Sequence, residues 1–185
     1  MKIHQNPNRP SPGFSLIELI VVVGIIVVLA GLTMGGMNLV NQKNAREKAK
    51  VQIKLIENAL EEYKADNRSI PPHSDPAGDR GDEVLYEYLY YNGFQDRDNG
   101  GIVYLPELDP ENNGVSGERQ GGQQWMEGEG AQARILDPWG RYYRYRSGDS
   151  EDAVNPDFDV WSTGKDGRTN ANPDHVDCLD DIKNW

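Results

Sequence analysis

One cysteine, Cys178, stands in 185 residues, so no disulfide can close within the chain. Histidine is almost as scarce. His4, His73 and His175 are scattered, and His175 with Asp177 and Cys178 lacks the number and spacing of a zinc ligand set. Neither a histidine-backed nucleophile nor any other catalytic constellation presents itself, and no catalytic residue is assigned. Positive charge is also short: 19 Lys and Arg face 30 Asp and Glu, for a net charge of -11. Nucleic acid is thereby excluded as a partner, because phosphate binding needs clustered Lys and Arg, and no aromatic residues interleave with basic ones as a single-strand binder requires. Apolar residues make up 37% of the chain, and a good part of them sit in one run. The rest has a thin core for its size and needs support from a long helix, a bound ion or neighbouring subunits.

That run extends from Gly13 to Leu32 and is long enough to cross a bilayer, which takes about 20 apolar residues. It carries one ionisable side chain, Glu18, near its outer end. A carboxylate in hydrocarbon costs roughly 2.5–3.5 kcal/mol on insertion scales, so its presence implies a function and a partner. Before the run, Pro7, Pro10 and Pro12 forbid regular helix. A secretory signal would have a shorter apolar core and a small-residue cleavage site after it. A plain single-span anchor explains the length but neither Glu18 nor the Gly13-Phe14 junction.

Gly13-Phe14-Ser15-Leu16-Ile17-Glu18 at the head of such a run resembles the processing site of the type IV pilin family. The resemblance implies cleavage after Gly13 by a prepilin peptidase, N-methylation of Phe14, and pairing of Glu18 with the free amine of a neighbouring subunit. On a helix Phe14 and Glu18 share a face one turn apart. Subunits staggered by a fixed step would bring amine and carboxylate together, and such a pair in an apolar setting favours one register. Three segments follow: a leader (1–13), a transmembrane and filament-core helix (14–35), and a globular domain (36–185).

Beyond the run the helix is expected to continue to about Asp66, before Pro71-Pro72, with a soft spot at Gly35-Gly36. Val51, Leu55, Ile56, Ala59, Leu60 and Tyr63 recur at helical spacing as its core face. Asp82 to Tyr91 predicts a short helix, and Ile102 to Leu105 a short strand or extended segment. Glu107 to Gln132, rich in Gly, Asn, Gln and Glu, predicts a long solvated loop. Leu136-Asp137-Pro138-Trp139-Gly140 is a turn. Arg141 to Arg146 and Phe158 to Ser162 are strands, most simply antiparallel. The fold class is α+β and pilin-like: a long N-terminal helix packed on a small antiparallel sheet with long loops.

The segment Asp137-Pro138-Trp139-Gly140 with Tyr143 and Tyr145, then Phe158-Asp159-Val160-Trp161-Ser162-Thr163-Gly164-Lys165-Asp166-Gly167, and the ending Asp181-Ile182-Lys183-Asn184-Trp185 closely resemble the major pseudopilins of type II secretion. In those proteins the loop after the last long strand holds one structural calcium through main-chain carbonyls and aspartates. Carried over by position, this implies the carbonyl of Thr163 and the carboxylate of Asp166. The spacer here is longer, so Asp180 and Asp181 follow as the better matches and Asp174 and Asp177 as the weaker. Oxygen ligands suit calcium, whereas a solvated acidic tail would leave the same carboxylates repelling one another. The resemblance further implies a pseudopilus subunit of the bacterial inner membrane. It would be single-pass with its domain in the periplasm, later part of a helical filament. Its partners would be copies of itself, prepilin peptidase, the inner-membrane secretion platform, minor pseudopilins and, before assembly, membrane lipid. A type IV pilus subunit for adhesion, motility or DNA uptake has the same architecture. An anchored binding or enzymatic domain is the reading of a different class.

Overall fold

The computed structural model describes residues 13–72, 78–109, 125–128 and 130–185, and of residues 32–38 the backbone alone. The leader up to Pro12 and most of the Gly-rich stretch lie outside the described residues. The chain divides into two units, 1–42 and 43–185.

Helix α1 runs from Leu16 to Asn67, 52 residues, without a break at Gly35-Gly36. In the first unit its residues from Leu16 to Leu29 are exposed, Val, Ile and Leu except for Glu18 and Gly24. Among the described residues no helix is long and apolar enough to cross a membrane. The described apolar stretch, Leu16 to Gly31, rises roughly 24 Å at 1.5 Å per residue, against a hydrocarbon thickness of about 30 Å. The predicted span draws its remaining length from Gly13 to Ser15, which precede the helix, and from Leu32.

In the second unit, α1 buries a stripe of Ala45, Ala49, Gln52, Ile53, Ile56, Ala59 and Leu60. Val51, predicted for this face, is instead 60% exposed. The stripe turns through small and polar residues that a search for large apolar side chains passes over. Gln52 is buried because its Oε1 accepts the Tyr143 hydroxyl at 2.9 Å, which satisfies both polar groups away from water. The helix ends where Arg68 takes a left-handed conformation (φ 55°) and donates its N–H to Lys64 O at 2.8 Å.

The predicted helix near Asp82 is one helical segment of three parts: α2 (Gly81–Tyr86), a π-helical turn (Glu87–Tyr91) and α3 (Asn92–Gln95). Leu89 O, within the π turn, accepts the N–H groups of Tyr104 (2.9 Å) and Leu105 (3.0 Å). The Ile102–Leu105 segment is thus extended and pinned to a helix, with no strand partner among the described residues. Gly81 lets α2 close on β3, since a Cβ there would overlap the Tyr145 backbone. Asp82, buried in α2, receives Arg134 Nε (2.6 Å) and Nη2 (2.9 Å). Burial raises its carboxyl above the usual range, and Arg134 works against that.

Two small antiparallel sheets form among the described residues. β1 (Met126–Glu127) pairs with β2 (Arg134–Ile135). The end of the predicted solvated loop is therefore ordered, with Trp125 and Met126 in the core; their apolar side chains outweigh the surrounding Gly and Gln. The second sheet has the order β3 (Arg144–Ser147), β4 (Phe158–Ser162), β5 (Ile182–Lys183). β3 and β4 are antiparallel as expected, with Arg144 opposite Trp161 and Ser147 opposite Phe158. β5 comes from the chain's end and is too short for alternation to reveal. Tyr143, Tyr145 and Val160 face the α1 stripe in one continuous core with Leu85, Leu89 and Leu108.

Candidate functional site

Two places carry the residues singled out in the sequence. The first is the start of α1. Gly13 and Phe14 are exposed and precede the helix. Ser15 is its cap: its carbonyl accepts Leu19 N–H (3.3 Å), and its hydroxyl accepts Glu18 N–H (3.3 Å). The Glu18 carboxylate returns to accept Ser15 N–H at 2.9 Å. This reciprocal pair is a capping box, and its signature Ser-x-x-Glu is legible in Ser15-Leu16-Ile17-Glu18. Because α1 begins at Leu16, Phe14 does not stand one helical turn from Glu18, and the carboxylate serves its own helix.

The second place is the loop after β4. Ser162 and Thr163 are buried at the strand's end. Gly164 then turns the chain with φ +63°, and a Cβ there would lie 2.5 Å from Asp180 O and 2.7 Å from Asp180 Oδ2. The loop thus lies directly on Asp180. Asp166 donates its N–H to Asp180 Oδ2 at 3.0 Å, while Asp166 Oδ1 accepts Arg168 N–H at 2.8 Å. Thr163, Asp166 and Asp180 are brought together, although Asp180 is distant in sequence, because β5 pairs with β4 at Trp161 and Ser162.

Asp181 faces other neighbours. Its side chain is 1% exposed, its Oδ2 accepts the Thr169 hydroxyl at 2.9 Å, and Lys183 Nζ lies 4.0 Å away. Burial raises its carboxyl; Thr169 and Lys183 pull it back. Its Oδ1 is buried with no hydrogen-bond partner. Asp174 and Asp177 belong to the spacer, whose turns close on Asn172 and His175 (Asp174 N–H to Asn172 Oδ1, 3.1 Å; Asp177 N–H to His175 Nδ1, 3.2 Å). Cys178 packs inside this spacer and receives Asn170 N–H at 3.3 Å.

Below the loop sits the Asp-Pro-Trp-Gly turn. Asp137, buried, accepts Trp139 N–H and Arg141 N–H on Oδ1, each at 2.9 Å, and Ser162 Oγ–H on Oδ2 at 2.5 Å. Burial raises its carboxyl; the donors from Ser162, Arg141 and Trp139 oppose the rise. Arg141 reaches up to donate Nη2–H to Lys165 O at 3.0 Å. Asp137 and Arg141 entered the sequence argument as part of a turn and a strand, with no site role.

Does this place suit calcium? The donors are all oxygens, the right chemistry for a hard cation; the orphaned buried Asp181 Oδ1 lies on the Thr169 and Lys183 side, apart from Asp166 and Asp180. Among the described residues no three or more His, Cys, Asp or Glu side chains gather as a metal set. A six- to eight-oxygen shell would therefore need main-chain carbonyls and water beside Asp166 and Asp180.

Known families match both places. The family described as Type II secretion system (T2SS), protein G, matches residues 112–185, and the Prokaryotic N-terminal methylation motif matches residues 8–34. Among curated proteins, the type II secretion system core protein G of Escherichia coli K12 is 31% identical over 178 residues, covering 94% of this chain and 90% of the relative. The core protein G of Vibrio cholerae is 28% identical over 177 residues (96% and 93%), and that of Pseudomonas aeruginosa is 27% identical over 177 residues (96% and 96%). With such relatives aligned over nearly its whole length, the chain belongs to the type II secretion system protein G family.

Proposed function

We infer that this chain is a structural subunit of a type II secretion pseudopilus, made as a precursor. Prepilin peptidase cuts after Gly13, and Phe14 is methylated. The subunit waits in the inner membrane as a single-pass protein with its domain in the periplasm. It then joins other copies, on the inner-membrane platform and with minor pseudopilins, into a helical filament that helps drive cargo across the outer membrane. The role is mechanical. One observation carries this reading: a methylation motif at residues 8–34 stands at the head of a single helix whose far half supports the protein G domain. After cleavage the new ammonium at Phe14 competes with Ser15 N–H for Glu18, and a neighbour's amine can take the carboxylate from its own cap. The intact mass of the mature protein from a membrane or filament fraction tests the reading. A chain beginning at Phe14 with one added methyl is expected; a chain beginning at Met1 overturns it.

The loop after β4 holds one structural calcium, with Asp166, Asp180 and the Thr163 carbonyl as its ligands. Bound there, the ion neutralises adjoining carboxylates and fastens the β4 end to β5. Asp181 stands behind them on Thr169 and Lys183, and Asp174 and Asp177 contribute only charge. What supports this is the oxygen-only donor set and the loop's contact with Asp180. EDTA is expected to lower the melting temperature of the full chain, and excess calcium to restore it. An identical melt with and without chelator removes the ion from the account.

A further inference from the structure

Each peptide of the loop has a direction, and two of them are set from the turn below. Asp137 Oδ2 accepts a hydrogen bond from the Ser162 hydroxyl at 2.5 Å. Having spent its one proton, Ser162 Oγ can only accept, and it accepts Gly164 N–H at 3.1 Å. In a trans peptide the N–H and C=O point in opposite directions. With Gly164 N–H held inward on Ser162, the carbonyl of Thr163 in the same peptide faces away from it. The second case runs the other way round. Arg141 Nη2–H holds Lys165 O at 3.0 Å, and the Asp166 N–H of that same peptide faces Asp180 Oδ2 at 3.0 Å. Gly167 completes the seat, since a Cβ there would overlap the Arg141 guanidinium.

We propose that the Asp-Pro-Trp-Gly turn is a two-point clamp that orients the calcium loop: Asp137 through Ser162 turns the Thr163 carbonyl outward, and Arg141 through Lys165 sets Asp166 against Asp180. These three are positioning residues that touch no ion themselves. The clamp rests on the calcium reading above and goes beyond it, because it assigns the loop's shape to residues outside the ligand set. The fixed orientation lowers the ordering cost of binding. Asp137, 1% exposed, has both carboxylate oxygens engaged, Oδ1 within its own turn and Oδ2 on Ser162.

The test is calcium titration of the full-length chain in detergent, by calorimetry, on the unaltered chain and four variants. Ser162→Ala removes the relay and is expected to weaken calcium binding tenfold or more. Arg141→Met, at a partly buried position, is expected to weaken it severalfold, and Arg141→Lys to recover part of that loss. Asp159→Asn is the control: Asp159 anchors the β3–β4 hairpin through Arg146, Val154 and Asn155. It should lower the melting temperature in EDTA and leave calcium affinity within twofold. Should Ser162→Ala not fold, the Arg141 pair decides. Affinities of the Ser162 and Arg141 variants within twofold of the unaltered chain overturn the clamp, as does an equal loss in Asp159→Asn. An unaltered chain that binds no calcium overturns the ion reading itself, a separate outcome.

Discussion

Single residues decide the two sites. Gly164 has φ +63° and no room for a side chain against Asp180. In Gly164→Ala the left-handed conformation alone costs about 1–2 kcal/mol, and the overlap must push the loop off Asp180. A lower melting temperature and weaker calcium binding are expected together, read by thermal melts with and without EDTA. Glu18 is bonded to Ser15 at the start of its own helix. Glu18→Ala removes both the cap and the charge that a neighbour's amine would seek. It is expected to abolish or misregister filaments while the domain from 43 onward folds normally; normal filaments in electron micrographs would refute the pairing. The Gly-Phe-Ser-Leu-Ile-Glu motif made this position legible, since it is contiguous. Asp180 could be separated from Asp181 only in the folded chain, where Asp180 meets Gly164 and Asp166 while Asp181 meets Thr169 and Lys183.

At the level of elements, long-range polar pairs hold short pieces together. α2 and β2 meet through Arg134 and the fully buried Asp82, with the Tyr142 ring 3.5 Å from the guanidinium carbon. Arg134→Met leaves Asp82 buried without its cation. Breaking one side of a buried pair costs about 3–5 kcal/mol, so a fall of many degrees in melting temperature is expected, with calcium affinity unchanged because the pair lies outside the loop. A melt within two degrees of the unaltered chain would mean that the ion pair contributes little. The strands β3 and β4 were legible from Arg141–Arg146 and Phe158–Ser162, because their residues are aromatic, β-branched and bounded by turns. β1, β2 and β5 are two residues long each. Pieces so short have no period of their own, and only their partners make them strands.

For the molecule as a whole, the tyrosines of the second unit form a pH-sensitive core. Burial pushes Tyr86 up to about 12 and raises Tyr143 and Tyr145 as well. An unfolded tyrosine ionises near pH 10. Above that pH the unfolded chain releases protons that the folded chain retains. The stabilisation is complete below about pH 10 and is lost as pH rises toward the folded values, at about 1.4 kcal/mol for each unit of difference. Alkaline titration is expected to show cooperative unfolding in which tyrosinate absorbance and loss of ellipticity coincide. Independent ionisation of all 9 tyrosines near pH 10 with the ellipticity intact would contradict the packed core.

The amino-acid sequence by itself determined what is local and repetitive. These are the processing motif, the apolar run, the continuation of α1 to the Asp66-Asn67 end, and the turn-bounded strands β3 and β4. Each depends on neighbours a few residues apart, through hydrogen bonds and side-chain periods that the order of residues encodes directly. Tertiary structure decided which aspartates share the loop, why Gln52 belongs to the core and Val51 does not, and which groups Asp137 and Arg141 bond. Those outcomes depend on groups that meet only after β5 closes on β4 and α1 docks on the sheet. A carboxylate's neighbours, and hence its role, are set by that closure and not by its place in the chain.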